Sequence, residues 1–94
     1  MQTVYKYPVP VVDYFTLRMP PGARVLTVQV QREQPQIWAL VDANVSFTEN
    51  RNFRLTGTGH PIQEEEDSLV WVGTFQLAQG GLVFHVFEIL GGNR

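Results

Sequence analysis

VWVGTFQL at residues 70–77 and LVFHVFEI at residues 82–89 are the two segments that decide the fold of this chain. Both are rich in β-branched and aromatic residues, which favour strands, and the AQGG sequence between them is typical of a hairpin connection. Only His85 and Glu88 interrupt the apolar character of the second segment. A strand with two apolar faces needs a cover on each face, so this pattern predicts either a central strand or a subunit interface.

The remaining sequence is also typical of strands. Alternating or continuous apolar patterns predict them at residues 3–7, 13–19, 24–32, 37–42 and 51–58, and the last two strands extend over 68–77 and 81–90. A proline-proline-glycine turn lies at residues 20–22, and a polar hairpin connection is expected at residues 33–36. Residues 43–50 are open to a loop or a single helical turn, and the tail at residues 91–94 is expected to be loose.

These elements predict one small domain over residues 1–94. The fold class that we expect is mainly β, a small antiparallel β-sandwich or partly open barrel of about seven strands with at most one short helix. A chain of 94 residues supports one modest hydrophobic core. Because so short a chain offers no evident cover for the second face of the last strand, we also expect a homo-oligomer.

The composition excludes several kinds of site. The chain has no cysteine, which removes disulfides, thiolate metal ligands and cysteine nucleophiles. No segment is apolar over a membrane-spanning length and the N-terminus lacks a signal-peptide pattern, so we expect a cytoplasmic protein with no membrane partner. The net charge of −2 argues against an extended nucleic-acid partner.

Six of the seven cationic residues are arginines. The planar guanidinium group binds carboxylates and phosphates through two parallel hydrogen bonds, which an ammonium group does not do. The excess of arginine therefore fits a small anionic ligand, which needs only two or three of these side chains. Ordinary surface pairing with the nine acidic residues, or a codon bias, also explains it, and the sequence leaves these alternatives open.

The segment TGTGHP at residues 56–61 resembles a ligand cradle. Its glycines leave little side-chain bulk, so successive backbone amides can form an anion-binding concavity. Threonine adds hydroxyl groups, and histidine adds a hydrogen-bond donor near neutral pH. We predict that Thr56, Thr58, Gly59 and His60 bind a ligand. A plain turn, with His60 in a structural hydrogen bond, is the alternative.

Arg51 and Arg54 precede this loop on the predicted strand, and we predict both as ligand-binding residues together with Trp38. If the strand is regular, the two arginines point to opposite faces, so one pocket of a single subunit cannot hold both. A tryptophan offers a surface on which a base can stack. For Trp38 and Trp71 alike, the core is nevertheless the default position.

No persuasive catalytic site is visible in the sequence. The glycine loop lacks the lysine and helix of a P-loop and the βαβ unit of a dinucleotide fingerprint. Neither Ser46 nor Ser68 lies in a nucleophile elbow, and two histidines without a cysteine do not suit a metal site. His85, in its apolar strand, is expected to be a hydrogen-bonded core or interface residue. We therefore predict a protein that is not an enzyme, with no catalytic residue, metal or cofactor.

Four segments resemble a widespread family of very short phage proteins of unassigned activity. They are WALVD at 38–42, GTGHPI at 57–62, GTFQL at 73–77 and LVFHVFE at 82–88. The similarity extends over nearly the whole chain. It implies a phage origin and expression in the cytoplasm of a bacterial host, and it supplies no catalytic residue.

A phage setting favours a non-catalytic homo-oligomer that sequesters a small anionic nucleotide-like ligand, by analogy with the sponges that bind host immune signals such as cyclic dinucleotides. We expect the site to consist of the loop at residues 57–60, Arg54 and one tryptophan. One alternative is a protein-interaction module that inhibits a host protein or serves phage assembly, through the acidic loop at residues 64–67 or an edge strand. Another is a minor virion or DNA-associated structural protein.

Overall fold

Seven strands in two antiparallel sheets make up the computed structural model, which describes residues 1–91. The strands are β1 (Gln2–Pro8), β2 (Tyr14–Met19), β3 (Arg24–Gln31), β4 (Gln34–Asp42), β5 (Glu49–Gly57), β6 (Leu69–Leu77) and β7 (Leu82–Ile89). Two short 3₁₀ turns, Glu66–Ser68 and Ala78–Gly80, are the helical elements of this described part. The predicted mainly β fold of about seven strands is confirmed, and the sheets do not close into a barrel. Of the tail predicted to be loose, residues 92–94 lie outside the described residues.

The strands pair in the orders β1-β4-β3, here sheet A, and β2-β5-β7-β6, here sheet B. The apolar last strand, β7, lies between β5 and β6, so it is a central strand. Residues 43–48 connect β4 to β5 without a helical turn. Within residues 1–91, no helix has the length and the apolar character needed to cross a membrane.

The hydrophobic core lies between the two sheets because alternate residues of each strand point to the same side. Sheet A contributes Ile37, Ala39 and Val41, and sheet B contributes Phe53 and Val86, each at most 1% exposed. Full burial of a large apolar side chain contributes about 1.5–3 kcal/mol relative to leaving it in water. One hydrophobic cluster thus includes residues of both sheets.

A β-bulge in β6 decides the face to which Trp71 points. Trp71 pairs with Phe87 but Gly73 pairs with Val86, so the register shifts between residues 71 and 73. In a regular strand these two residues would share a face; here Trp71 lies on the outer face and Gly73 on the inner one. Glycine suits the inner position because a Cβ there would lie 2.8 Å from Val28 Cγ1 of sheet A. The default core position is therefore wrong for Trp71, which is 62% exposed.

Two hairpin turns use residues that are uncommon in such places. The β3–β4 turn consists of Arg32 and Glu33, with φ of 52° and 68°, and β4 begins directly afterwards, so this connection is two residues long and not four as predicted. Ala78 and Gln79 have φ of 53° and 56° in the β6–β7 turn. Glycine or asparagine usually occupies this left-handed region. Both turns line one cleft of about 570 Å³ at the same end of the sandwich.

Candidate functional site

Arg54 is buried beneath the loop that follows β5, on the outer side of sheet B. Its guanidinium group donates to three backbone oxygens, at distances of 2.7–3.3 Å: those of Asp13, Leu55 and Pro61. Its Nε lies 3.3 Å from Glu64 Oε1, and the Tyr14 ring covers it with its centroid 4.8 Å from Cζ. Both terminal nitrogens are thus hydrogen-bonded, whereas Nε faces the Glu64 carboxylate without forming a hydrogen bond. Arg54 holds the loop against the sheet.

Arg51 points to the inner side of sheet B, opposite Arg54, as the alternation of a regular strand predicts. Its Nε and Nη2 donate to the carboxylate of Glu88 at 2.5 and 3.0 Å, and its Nη1 donates to the backbone oxygen of Ala23 at 2.7 Å. The hydrogen bond to Glu88 raises the pKa of Arg51 above its ordinary value. Arg51 therefore fastens the β2–β3 connection to the sheet, and it does not share a pocket with Arg54.

The glycine loop is bonded to the rest of the fold through its own backbone. The amide of Thr58 donates to the oxygen of Val83 at 3.3 Å, and the amide of His60 donates to that of Gly57 at 3.1 Å. These two amides stabilise the turn and are not directed at a ligand. Gly59 has a φ of +86°, a conformation that glycine adopts without steric cost. Most of this loop is therefore accounted for as a turn, and ligand binding by it stays a prediction.

His85 joins the loop to the outer face of sheet B. Its Nε2 lies 2.7 Å from Thr58 Oγ1, and its Nδ1 lies 2.9 Å from Thr74 Oγ1. A hydroxyl group both donates and accepts, so both ring nitrogens are satisfied in either tautomer. Thr56 is buried, and its hydroxyl donates to the backbone oxygen of Gly57 at 3.4 Å. His85 is therefore hydrogen-bonded, as expected from the sequence.

Trp38 lies on the far side of the sandwich, on the outer face of sheet A. It is half-buried, and the ammonium group of Lys6 lies 5.7 Å from its ring centroid. The predicted ligand-binding residues thus occupy three separate places. The outer side of sheet B holds Arg54, Thr56, Thr58, Gly59 and His60, the space between the sheets holds Arg51, and sheet A holds Trp38.

A cleft that the sequence did not reveal lies between the loop after β5 and the outer face of β6 and β7. We call it the aromatic cleft, and its lining residues are Ile62, Glu64, Glu66, Leu69, Trp71 and Phe87. Its volume of about 430 Å³ falls within the usual range of ligand sites, roughly 300–1,000 Å³. Gly73 was the one local sequence signal for this cleft. A glycine inside an apolar strand often marks a bulge, and here the bulge turns Trp71 outward into the cleft.

The two carboxylates of the aromatic cleft have different surroundings. Glu64 Oε2 accepts a hydrogen bond from the Tyr14 hydroxyl at 2.6 Å. This bond, with the nearby Arg54 guanidinium, holds the pKa of Glu64 below its usual value, and it raises the pKa of Tyr14. Glu66 is exposed and forms no ion pair within 4.0 Å among residues 1–91. The same described part holds no cluster of side chains suited to a metal ion.

The model of a protein family described as a domain of unknown function, DUF7352, matches residues 1–92. The chain belongs to this family. The sequence segments predicted a family of unassigned activity that covers nearly the whole chain, and this expectation is confirmed. No curated protein and no solved structure matches the chain.

Proposed function

We propose that this chain is a protein-interaction module that binds a partner protein through the outer face of sheet B. The exposed indole of Trp71 supports this most directly, because tryptophan and tyrosine are enriched among the residues that dominate binding energy at interfaces. Tyr14, which is 52% exposed, lies on the same face. The β6 bulge turns Trp71 outward where a regular strand would direct it to the core, so its exposure is a property of the backbone.

The setting of this activity follows from the resemblance of the sequence to phage proteins. We propose that a phage encodes the chain and that it acts in the cytoplasm of the bacterial host. The partner is then a host protein that the module inhibits, or a phage assembly that it serves.

Sequestration of a small anionic nucleotide is a second candidate with less support. Arg51 and Arg54 both contact carboxylates, and the carboxylates of the aromatic cleft repel phosphate groups. One observation favours a nucleobase, since Trp71 and Phe87 are cross-strand partners and both line the aromatic cleft. Native mass spectrometry with cyclic dinucleotides and ADP-ribose derivatives tests this candidate, and the same spectra give the subunit number for the proposed homo-oligomer.

Site-specific photo-crosslinking in bacterial cells tests the protein-interaction function. A photoreactive phenylalanine analogue replaces residue 71 in one variant and residue 47 in a matched control. Phe47 is 66% exposed but lies in the β4–β5 connection and does not line the aromatic cleft. We expect a covalent adduct with a partner protein from position 71 only, and mass spectrometry of the adduct then identifies that partner.

Trp71→Ala should weaken binding to the purified partner by about 30-fold or more, because truncating a central aromatic residue costs about 2 kcal/mol or more at a protein interface. Phe47→Ala should leave the dissociation constant unchanged, and isothermal titration calorimetry measures both. Equal effects of the two substitutions would contradict the proposal. An adduct with the mass of two copies of this chain would also contradict it and would assign this face to self-assembly.

A further inference from the structure

We infer that the aromatic cleft receives a cationic side chain, an arginine or lysine of the partner protein; this inference rests on the protein-interaction function proposed above. The walls of the cleft provide the first argument. Trp71 and Phe87 are paired cross-strand neighbours on the outer face, and the electron-rich face of an aromatic ring attracts a guanidinium or ammonium group. Ile62 and Leu69 also line the cleft, and such apolar side chains suit the methylene stem of a long cationic residue.

The charges around the cleft provide the second argument. Glu64 and Glu66 line it, and no arginine or lysine is among the lining residues. The carboxylate of Glu64 is already bonded to Tyr14 and faces Arg54. Glu66 is the lining carboxylate without an ion pair in the described part of the chain. A cationic partner group is therefore attracted by the available charge of Glu66, whereas a phosphate would be repelled by the same carboxylate.

The fold already binds a cation in this way immediately beside the cleft. The guanidinium of Arg54 lies against the ring of Tyr14, at 4.8 Å from its centroid, and its Nε lies 3.3 Å from a carboxylate oxygen of Glu64. An aromatic face and a carboxylate thus hold an internal arginine. Trp71 and Glu66 provide the same pair of groups to the neighbouring space, and no arginine or lysine of residues 1–91 lines that space.

Nuclear magnetic resonance of the ¹⁵N-labelled full chain tests the inference, because the two tryptophans report on opposite faces. The probes are N-acetyl-arginine amide and N-acetyl-citrulline amide, which share a shape but differ in charge. We expect the arginine probe to shift the indole N–H signal of Trp71 and to leave that of Trp38 in place. The citrulline probe should shift neither signal, since it lacks the charge that Glu66 and the rings attract.

Glu66→Gln should weaken binding of the arginine probe about two- to fivefold, which is the effect of losing one exposed ion pair. Glu65→Gln is the matched control, because it removes the same charge from the same loop at a residue that does not line the cleft. Equal shifts with citrulline, equal effects of the two substitutions, or no shift of the Trp71 signal would each overturn the cation site. The protein-interaction function would survive any of these results if the photo-crosslink at position 71 still formed. Absence of that crosslink would contradict the protein-interaction function, whatever the arginine probe shows.

Discussion

At the scale of single residues, arginine in this chain serves the fold. Arg51 binds Glu88, which lies 37 residues further along the chain, and Arg54 binds the backbone of Asp13, 41 residues before it. The sequence marks both arginines as unusual because they precede a glycine loop. It gives no sign of their partners, since no local pattern connects residues so far apart. This is why sequence reasoning predicted a ligand for both arginines, whereas the structure shows each of them in contact with a carboxylate and with backbone oxygens of this chain.

Arg54→Ala should lower the free energy of unfolding by about 3–5 kcal/mol, because removing one partner of a buried ion pair leaves the other uncompensated. Glu64 would lose its cationic partner, and three backbone oxygens would each lose a donor. Arg18→Ala is the matched control. Arg18 is an exposed arginine of β2 that donates one hydrogen bond, to Thr48, and its loss should cost at most about 1 kcal/mol. Urea denaturation measures both values, and similar losses would contradict the structural role of Arg54.

At the scale of single elements, β6 combines a close approach on one face with an exposed tryptophan on the other. Gly73 on the inner face allows β6 to contact Val28 of β3, and the adjoining bulge places Trp71 on the outer face. The alternation visible in the sequence assumes a regular strand and therefore places Trp71 in the core. One extra residue in the ladder reverses that assignment, because side chains alternate with a period of two.

Gly73→Ala should destabilise the protein by about 1–3 kcal/mol, the usual cost of overpacking a core. The added methyl group would lie 2.8 Å from Val28 Cγ1. Val28→Ala removes that atom, so the double variant should be less destabilised than the sum of the two single variants. A double-mutant cycle from urea denaturation measures this coupling. Strict additivity would show that the two side chains do not meet.

Acidic pH should release the loop that follows β5. The pKa of Glu64 is lowered in the folded protein, so its contribution to stability is present above its ordinary pKa of 4.5 and is lost as the pH falls through the lowered value. The pKa of Tyr14 is raised above 10.0, so its contribution is present below that value and is lost as the pH rises through the raised one. The hydrogen bond from Tyr14 to the ionised Glu64 is therefore fully formed only between the lowered pKa of Glu64 and the raised pKa of Tyr14.

Tyr14→Phe should move the acid transition of the loop to higher pH, because the hydrogen bond from Tyr14 is the main cause of the lowered pKa of Glu64. Trp71 fluorescence in a Trp38→Phe background reports the transition, since Trp71 and Glu64 line the same cleft. Tyr5→Phe, at an exposed tyrosine of β1, should leave the midpoint where it is. An unchanged midpoint in Tyr14→Phe would contradict the assigned cause.

At the scale of the whole molecule, the single hydrophobic cluster shared by the sheets should make unfolding one cooperative transition. Trp38→Phe leaves a reporter on sheet B, and Trp71→Phe leaves a reporter on sheet A. We expect the two single-tryptophan variants to give coincident urea transitions, after correction for any change in stability shown by circular dichroism. A fluorescence midpoint that differs from the circular dichroism midpoint of the same variant would show that the sheets unfold separately.

The architecture was far more predictable than the site. Local alternation, which a sequence displays directly, predicts all seven strands. It also predicts the opposite directions of Arg51 and Arg54, and the central position of β7 as one of two alternatives. The aromatic cleft depends instead on a bulge and on a loop held down by Arg54, Tyr14 and Glu64. These contacts join segments that are far apart in the chain, so they arise only once the sheets have formed.

The left-handed turn residues bear on how this family can evolve. Arg32, Glu33, Ala78 and Gln79 each hold a conformation that costs a residue with a side chain roughly 1–2 kcal/mol. Glycine or asparagine at a hairpin tip would relieve that strain without disturbing the core. A new side chain in the aromatic cleft can lower the stability of the fold. Glycine or asparagine in the two hairpin turns would then restore that stability. If the proposed binding function holds, side chains of the aromatic cleft can therefore vary on one face of the sandwich while stability is restored at its end.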